Sequence, residues 1–143
     1  MHTVERSVIV PYTPAQMFDL VSDVAKYPEF MPWCGGAEVL SESESGMTAS
    51  IMIRIARISQ SFTTRNTHDY PNRIHLELVD GPFSNLTGDW KFSPLGEDGC
   101  KIDFIMQYRF SSRALEVVVG PIFNRIATSF IDSFTERANE LYE

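Results

Sequence analysis

The sequence predicts an α+β fold in which a seven-stranded, curved antiparallel sheet wraps a long C-terminal helix, with two short helices after the first strand. Three observations predict it. Most of the chain alternates apolar and polar residues in segments joined by short turns, the mark of antiparallel strands. The last stretch instead places Leu115, Val118, Val119, Ile122, Phe123, Ile126, Phe130, Phe134, Ala138 and Leu141 at steps of three and four, one stripe of an α-helix. The dimensions also agree. Seven strands at about 4.8 Å cover roughly 34 Å, and a helix from Pro121 onward is roughly 33 Å long. A sheet twisted around such a helix buries both apolar faces.

Thr3 to Pro11 is the first strand, with Val4, Val8 and Val10 on the side of Arg6. Thr13 suits an N-cap and Pro14 a first helical position, and Met17, Phe18, Leu20 and Val21 follow at helical spacing. A second short turn, Asp23 to Phe30, is closed by Pro28 and Pro32. Ala37 to Ser43 begins a meander. It continues with Met47 to Ile58, and then with Gln60 to His68, whose polar face carries Ser61, Thr63, Arg65 and Thr67. Ile74 to Leu78, Phe83 to Phe92 and a last strand through Ile102, Phe104, Met106, Tyr108 and Phe110 complete it. Pro121 lacks an amide hydrogen, so the spacing predicts a break there, between a segment Ser112–Val119 and the main helix.

With 143 residues the chain is expected to be one domain, residues 1–143, large enough to fold without a disulfide or metal staple. Cys34 and Cys100 stand alone and are expected to be reduced and partly buried. The net charge of −7 and the lack of a Lys/Arg run argue against a nucleic-acid binder driven by phosphate contacts, and no DNA partner is expected. The closest approach to a basic patch is Arg54, Arg57 and Arg65. No signal peptide and no apolar run approaching about 18 residues is evident, so a cytoplasmic monomer is expected, touching a membrane surface at most transiently. Ten phenylalanines, five tyrosines and two tryptophans are generous for a small core and suit a lined cavity.

Within that cavity the inward faces of the last strand and helix place Phe104, Met106, Tyr108, Ile126 and Phe130, equally suited to plain core. Met31, Met52 and Met106 are adaptable lining. Tyr27, Phe30 and Trp33 lie in a stiff, proline-bounded segment that suits either a lid over the cavity or a wedge packing the short helices onto the sheet. Trp90 belongs to the same inward set as Leu86 and Phe92. Arg65 could reach a carbonyl or headgroup if it turned inward; an exposed Arg65 would instead pair with Glu77 or Asp69. If the Tyr70–Arg73 turn pairs Asp69 with Ile74, His68 and His75 face each other, but a third metal ligand is not evident and no metal is expected. No nucleophile–base pair or paired carboxylates stand out, and Asp89 beside Trp90 is the best isolated acid. The chain is therefore not expected to be an enzyme.

Three segments carry a resemblance: Tyr27-Pro28-Glu29-Phe30-Met31-Pro32-Trp33-Cys34, Phe62-Thr63-Thr64-Arg65-Asn66, and Asp80-Gly81-Pro82-Phe83 with Leu86 and Trp90-Lys91-Phe92. Over essentially its whole length the chain resembles the START-like, or helix-grip, superfamily. Within it the chain is similar to the subfamily of mitochondrial coenzyme-Q-binding proteins and bacterial ribosome-association toxins called RatA. The resemblance implies two roles. One is non-enzymatic binding of a hydrophobic molecule, ubiquinone or a related lipid, in support of respiration. The other is binding to the large ribosomal subunit, which blocks subunit joining and translation initiation. A more distant START-like activity is polyketide aromatase/cyclase chemistry, for which Arg65, Tyr108 and Asp89 would have to converge. No cofactor is implied. The fold favours the small molecule as first expectation, since a sheet curled on a helix offers an apolar concave site.

Overall fold

Local chemistry sets the first elements. In the computed structural model, which describes residues 1–55 and 57–143, β1 (His2–Val10) leads into α1 (Pro14–Ser22). The start of α1 is a reciprocal cap. Thr13 Oγ1 accepts from the Gln16 amide at 3.2 Å, and Gln16 Oε1 accepts from the Thr13 amide at 2.9 Å, so two otherwise orphaned donors are satisfied. A 3-10 turn, Val24–Glu29, follows.

Six strands then form the meander: β2 (Cys34–Ser43), β3 (Gly46–Ile55), β4 (Ile58–Asp69), β5 (Arg73–Asp80), β6 (Phe83–Leu95) and β7 (Gly99–Phe110). The sheet order is β1-β7-β6-β5-β4-β3-β2, antiparallel throughout. α2 (Arg113–Tyr142) crosses its concave face. The expected seven strands, two short helical segments and long terminal helix are all present. Strand ends differ by a few residues. Gly35 and Gly36 lie inside β2 instead of preceding it, and the expected run from Met47 to Ile58 divides after Ile55 into β3 and β4. The part of that expectation falling on Ala56 lies outside the described residues.

Two expectations fail. The first is the break at Pro121, through which α2 runs as one 30-residue helix. Proline at 121 removes the bond to the Val117 carbonyl and crowds that carbonyl, but Val117 is 67% exposed, so the carbonyl can tilt toward water. At about 1.5 Å per residue the helix is roughly 45 Å long. Its first turns lie against the sheet on one side, with Glu116 bonded to His2 of β1 at 2.8 Å and Leu115 packed on the core, and leave Val117 and Val118 exposed on the other. The second is the β4–β5 register. Asp69 pairs with Arg73, so His68 faces Ile74 and His75 faces Thr67. His68 turns inward against Phe18, ring centroids 5.3 Å apart, while His75 turns outward. Among the described residues no three His, Cys, Asp or Glu side chains gather as a metal set.

The core lies between sheet and helix. From β6 and β7 it takes Leu86, Trp90, Phe92, Ile102, Phe104, Met106 and Tyr108, and from α2 it takes Val119, Phe123, Ile126, Ala127, Phe130, Ile131, Phe134 and Ala138. α2 is long and apolar enough by composition to resemble a membrane span, and 33% of its most apolar 18-residue stretch is buried in this core. α1 closes one end: Tyr12 Oη donates to Asn139 Oδ1 at 2.6 Å and Tyr142 Oη to the Gln16 carbonyl at 3.2 Å. At the sheet edge Arg6 reaches the Thr128 carbonyl (3.1 Å) and Asp132 (3.7 Å). Gly81 makes the β5–β6 turn possible. Its φ of +149° disfavours a side chain, and a Cβ there would stand 2.7 Å from Phe62 Cβ.

Candidate binding cavity

Because strand residues alternate between faces, the concave side receives Ala49 and Ile51 from β3, Phe62, Thr64 and Asn66 from β4, Ile74 and Leu76 from β5, Leu86 and Trp90 from β6, and Met106 from β7. Phe130 and Phe134 of α2 face them. Val21 and Ser22 of α1, with Val24 and Tyr27 of the 3-10 turn, close the remaining side. These residues enclose an apolar cavity of about 40 Å³.

The aromatic walls hold one another. Trp90 lies 4.3 Å from Phe104 and meets Phe134 edge-on at 5.3 Å. Phe134 also meets Tyr27 at 5.4 Å and Phe30 at 5.7 Å. Phe130 contacts Trp33 at 5.6 Å and Phe104 at 5.8 Å. Such edge-to-face contacts add to the burial of each ring. The Tyr27 hydroxyl donates to the Val21 carbonyl, which ties the 3-10 turn to α1, and burial drives its pKa well above the usual tyrosine value.

One polar pair faces the apolar walls. Thr64 Oγ1 donates to Asn66 Oδ1 at 2.7 Å, and both residues are buried. The Thr64 hydroxyl thereby fills one of the amide oxygen's two acceptor positions, while the amide nitrogen retains two donors for whatever enters. A cavity lined by apolar groups and one oriented amide could hold a small molecule with an acceptor oxygen, given room. Room is what it lacks. An apolar cavity of about 150 Å³ is needed for a benzene ring, and drug-sized ligands occupy about 300–1,000 Å³. At about 40 Å³ it has space for water only.

Of the residues expected to line a site, the structure brings Tyr27, Trp90, Met106 and Phe130 to the cavity. Phe30, Trp33, Phe104, Tyr108 and Ile126 stand behind them. Trp33, Phe104, Tyr108 and Ile126 are buried, and Phe30 is half-buried beneath the Arg137 guanidinium, 5.1 Å from its ring centre. The segment from Tyr27 to Trp33 is therefore a packed wedge in this structure, with Phe30 and Trp33 held against α2. Of the two alternatives for Arg65 the structure takes the exposed one: it lies on the outer sheet face, opposite Glu77 in the ladder, because its strand mates Thr64 and Asn66 occupy the inward phase, and so does not line the cavity. Met52 is corrected: it shares that outer side, where its sulfur accepts from Arg54 Nη2 at 3.7 Å. Asp89 also faces outward, bonded to Arg73 at 2.6 Å and His75 at 3.0 Å, while Tyr108 points inward with its hydroxyl 3.3 Å from Asn124. Arg65, Tyr108 and Asp89 do not converge.

The residues that sequence reasoning missed are Thr64 and Asn66. Both faces of β4 are polar, so alternation marks no inward side there. The usable signal was phase, since Thr64 and Asn66 share the side of Phe62.

Comparison with known proteins places this geometry. The chain is 44% identical over 142 residues, 99% of each chain, to the "Ribosome association toxin RatA" of Vibrio cholerae. It is 25% identical over 140 residues, 95% of this chain and 57% of the other, to the mitochondrial "Coenzyme Q-binding protein COQ10 homolog B" of Xenopus laevis. Among solved structures, a START superfamily protein from Mycobacterium smegmatis superposes with a TM-score of 0.83 at 20% identity, covering 99% of both chains. Residues 10–135 match the family described as polyketide cyclase/dehydrase and lipid transport. The chain belongs to that polyketide cyclase/dehydrase and lipid transport family, with RatA proteins among its full-length relatives.

Proposed function

We propose that this chain is a ribosome-association protein of the RatA kind, which binds the large ribosomal subunit and hinders its joining to the small one without catalysing a reaction. The observation that carries this reading is 44% identity spread over 99% of both chains, which spares no region for a different architecture. The cavity supports it. At about 40 Å³ it is too small for a quinone ring, so the small-molecule role that the fold favoured as first expectation becomes secondary. The dispersal of Arg65, Tyr108 and Asp89 supports a non-enzymatic role. The test is co-sedimentation of the purified chain with isolated large and small subunits. Retention with the large subunit is expected. Equal retention with both, or with neither, would overturn the proposal.

A second reading rests on a separate observation, the Thr64–Asn66 pair aimed into apolar walls. We propose that a hydrophobic molecule with an acceptor oxygen can enter when the walls part, with Asn66 as its polar anchor. Organic extraction of the protein purified from cells, followed by mass spectrometry, tests this. A quinone or lipid recovered in molar proportion from the wild type, and lost in an Asn66→Leu variant that still folds, is expected. Recovery unaffected by that substitution would defeat the assignment.

A further inference from the structure

The first turns of α2 have a chemistry of their own. Ala114, Val117, Val118 and Pro121 stand at i, i+3, i+4 and i+7, and all four are exposed, Val117 by 67% and Val118 by 59%. Leu115, Val119 and Ile122 occupy the opposite, inward side. These first turns are therefore apolar nearly all round, a pattern expected of a helix covered on every side. The second half of α2 is not built this way, since its outer positions carry Asp132, Glu136, Asn139 and Glu140.

The border of the stripe is cationic in a chain of net charge −7. Arg113 and Arg125 lie along α2, and Arg57 sits at the head of β4, where Ile58, Ser59 and Gln60 form a groove with Ala114, Leu115 and Val118. Arg6, Lys26, Arg73, Lys101 and Arg137 each pair with a carboxylate, whereas Arg57, Arg113 and Arg125, like Arg54, Arg65, Lys91 and Arg109 on the sheet, have no carboxylate within 4.0 Å among the described residues. The acid of the first turn, Glu116, is engaged by His2 at 2.8 Å.

We infer that this end of the molecule docks on an anionic lipid bilayer surface, with Val117, Val118 and Pro121 entering the headgroup–acyl boundary and Arg57, Arg113 and Arg125 meeting lipid phosphates. An aliphatic centre ringed by arginines has the chemistry of an interfacial helix. An RNA site would instead call for stacking aromatics or a continuous basic track, and the stripe has neither. The site goes beyond the ribosome reading and does not depend on it.

Flotation of the full chain with vesicles tests it. Binding is expected to vesicles of phosphatidylcholine with a third phosphatidylglycerol and not to phosphatidylcholine alone, weakening as salt rises. The double variant Val117→Asp, Val118→Asp should weaken it at least about tenfold, and Arg113→Gln about fivefold. Leu40→Asp, at an exposed position on β2, should leave it unchanged. All three variants replace exposed side chains, so an unaltered melting temperature checks that each folds. A wild type that ignores phosphatidylglycerol vesicles, or whose binding survives the double variant, overturns the inference. So does a double variant that loses retention on large subunits while the wild type binds no vesicle, which would make the face a ribosomal contact.

Discussion

Phe134 is the residue on which the cavity walls converge, and removing its ring tests the picture of a small, closed, apolar cavity. It is 2% exposed and touches Tyr27, Phe30 and Trp90. Phe→Ala at such a site costs about 3–5 kcal/mol. For 143 residues the unfolding entropy is about 0.3 kcal/mol/K near the midpoint, so Tm should fall by about 10–17 °C. The space vacated has the shape of the phenyl ring removed, and it adjoins the existing 40 Å³. The variant should therefore admit benzene. At ten times its Kd, benzene would restore about 1.4 kcal/mol, or about 5 °C. Differential scanning calorimetry of wild type and Phe134→Ala, each with and without benzene, reads all four values. A benzene-dependent rise in the wild type would show that the cavity is already large enough for a ring and would refute the reasoning, as would a Phe134→Ala loss below 1 kcal/mol.

Thr64→Val removes the donor to Asn66 Oδ1, but the cavity can hold a water that replaces it, so the cost should stay near 1 kcal/mol, about 3 °C in Tm; a loss above 3 kcal/mol would mean the pair is sealed from the cavity. Gly81→Ala should cost about 1–3 kcal/mol, measured by urea unfolding, because φ is +149° and the new Cβ meets Phe62. The pH dependence of stability should carry two opposed histidine contributions. At His75 burial lowers the pKa, but hydrogen bonds to Asp89 and Glu77 outweigh it and leave it raised. Its stabilisation is then full below the unfolded value of about 6.5 and is lost as pH rises through the folded value. At His68 burial prevails over Glu42 and lowers the pKa, so its contribution is lost as pH falls below about 6.5. His75→Gln should abolish the loss on the alkaline side and keep the acidic one, as read from unfolding midpoints between pH 5 and 8. An unchanged alkaline slope would remove His75 from the account.

The strands, the meander and the terminal helix were legible because hydrophobic alternation and spacing register burial directly. The strand through Ile102 to Phe110 and the stripe from Phe123 to Ala138 are clear cases, with the apolar residues buried where their phase places them. The continuity of α2 was not legible, because proline's effect depends on whether water reaches the carbonyl four residues back, a tertiary fact. Nor was the β4–β5 register, which turns on whether three or four residues make the turn at Tyr70–Asn72; one residue of slip moves a histidine pair apart. At the cavity, Tyr27, Trp90, Met106 and Phe130 were readable as large apolar side chains on inward phases. Met52 was misplaced because β3 carries apolar residues on both faces, and Thr64 and Asn66 were overlooked because inward polar residues look like surface until the neighbouring strands fix the face; Arg65 takes the exposed alternative, opposite Glu77.

Subunit joining puts the central proposal to its most direct test. Purified large and small ribosomal subunits are mixed at a magnesium concentration that supports association, and joining is followed by light scattering with increasing amounts of the chain. The account predicts a saturable loss of the associated signal as the chain approaches stoichiometry with the large subunit, with the free large subunit carrying the chain in a gradient. Full association at a large excess of the folded chain would contradict it.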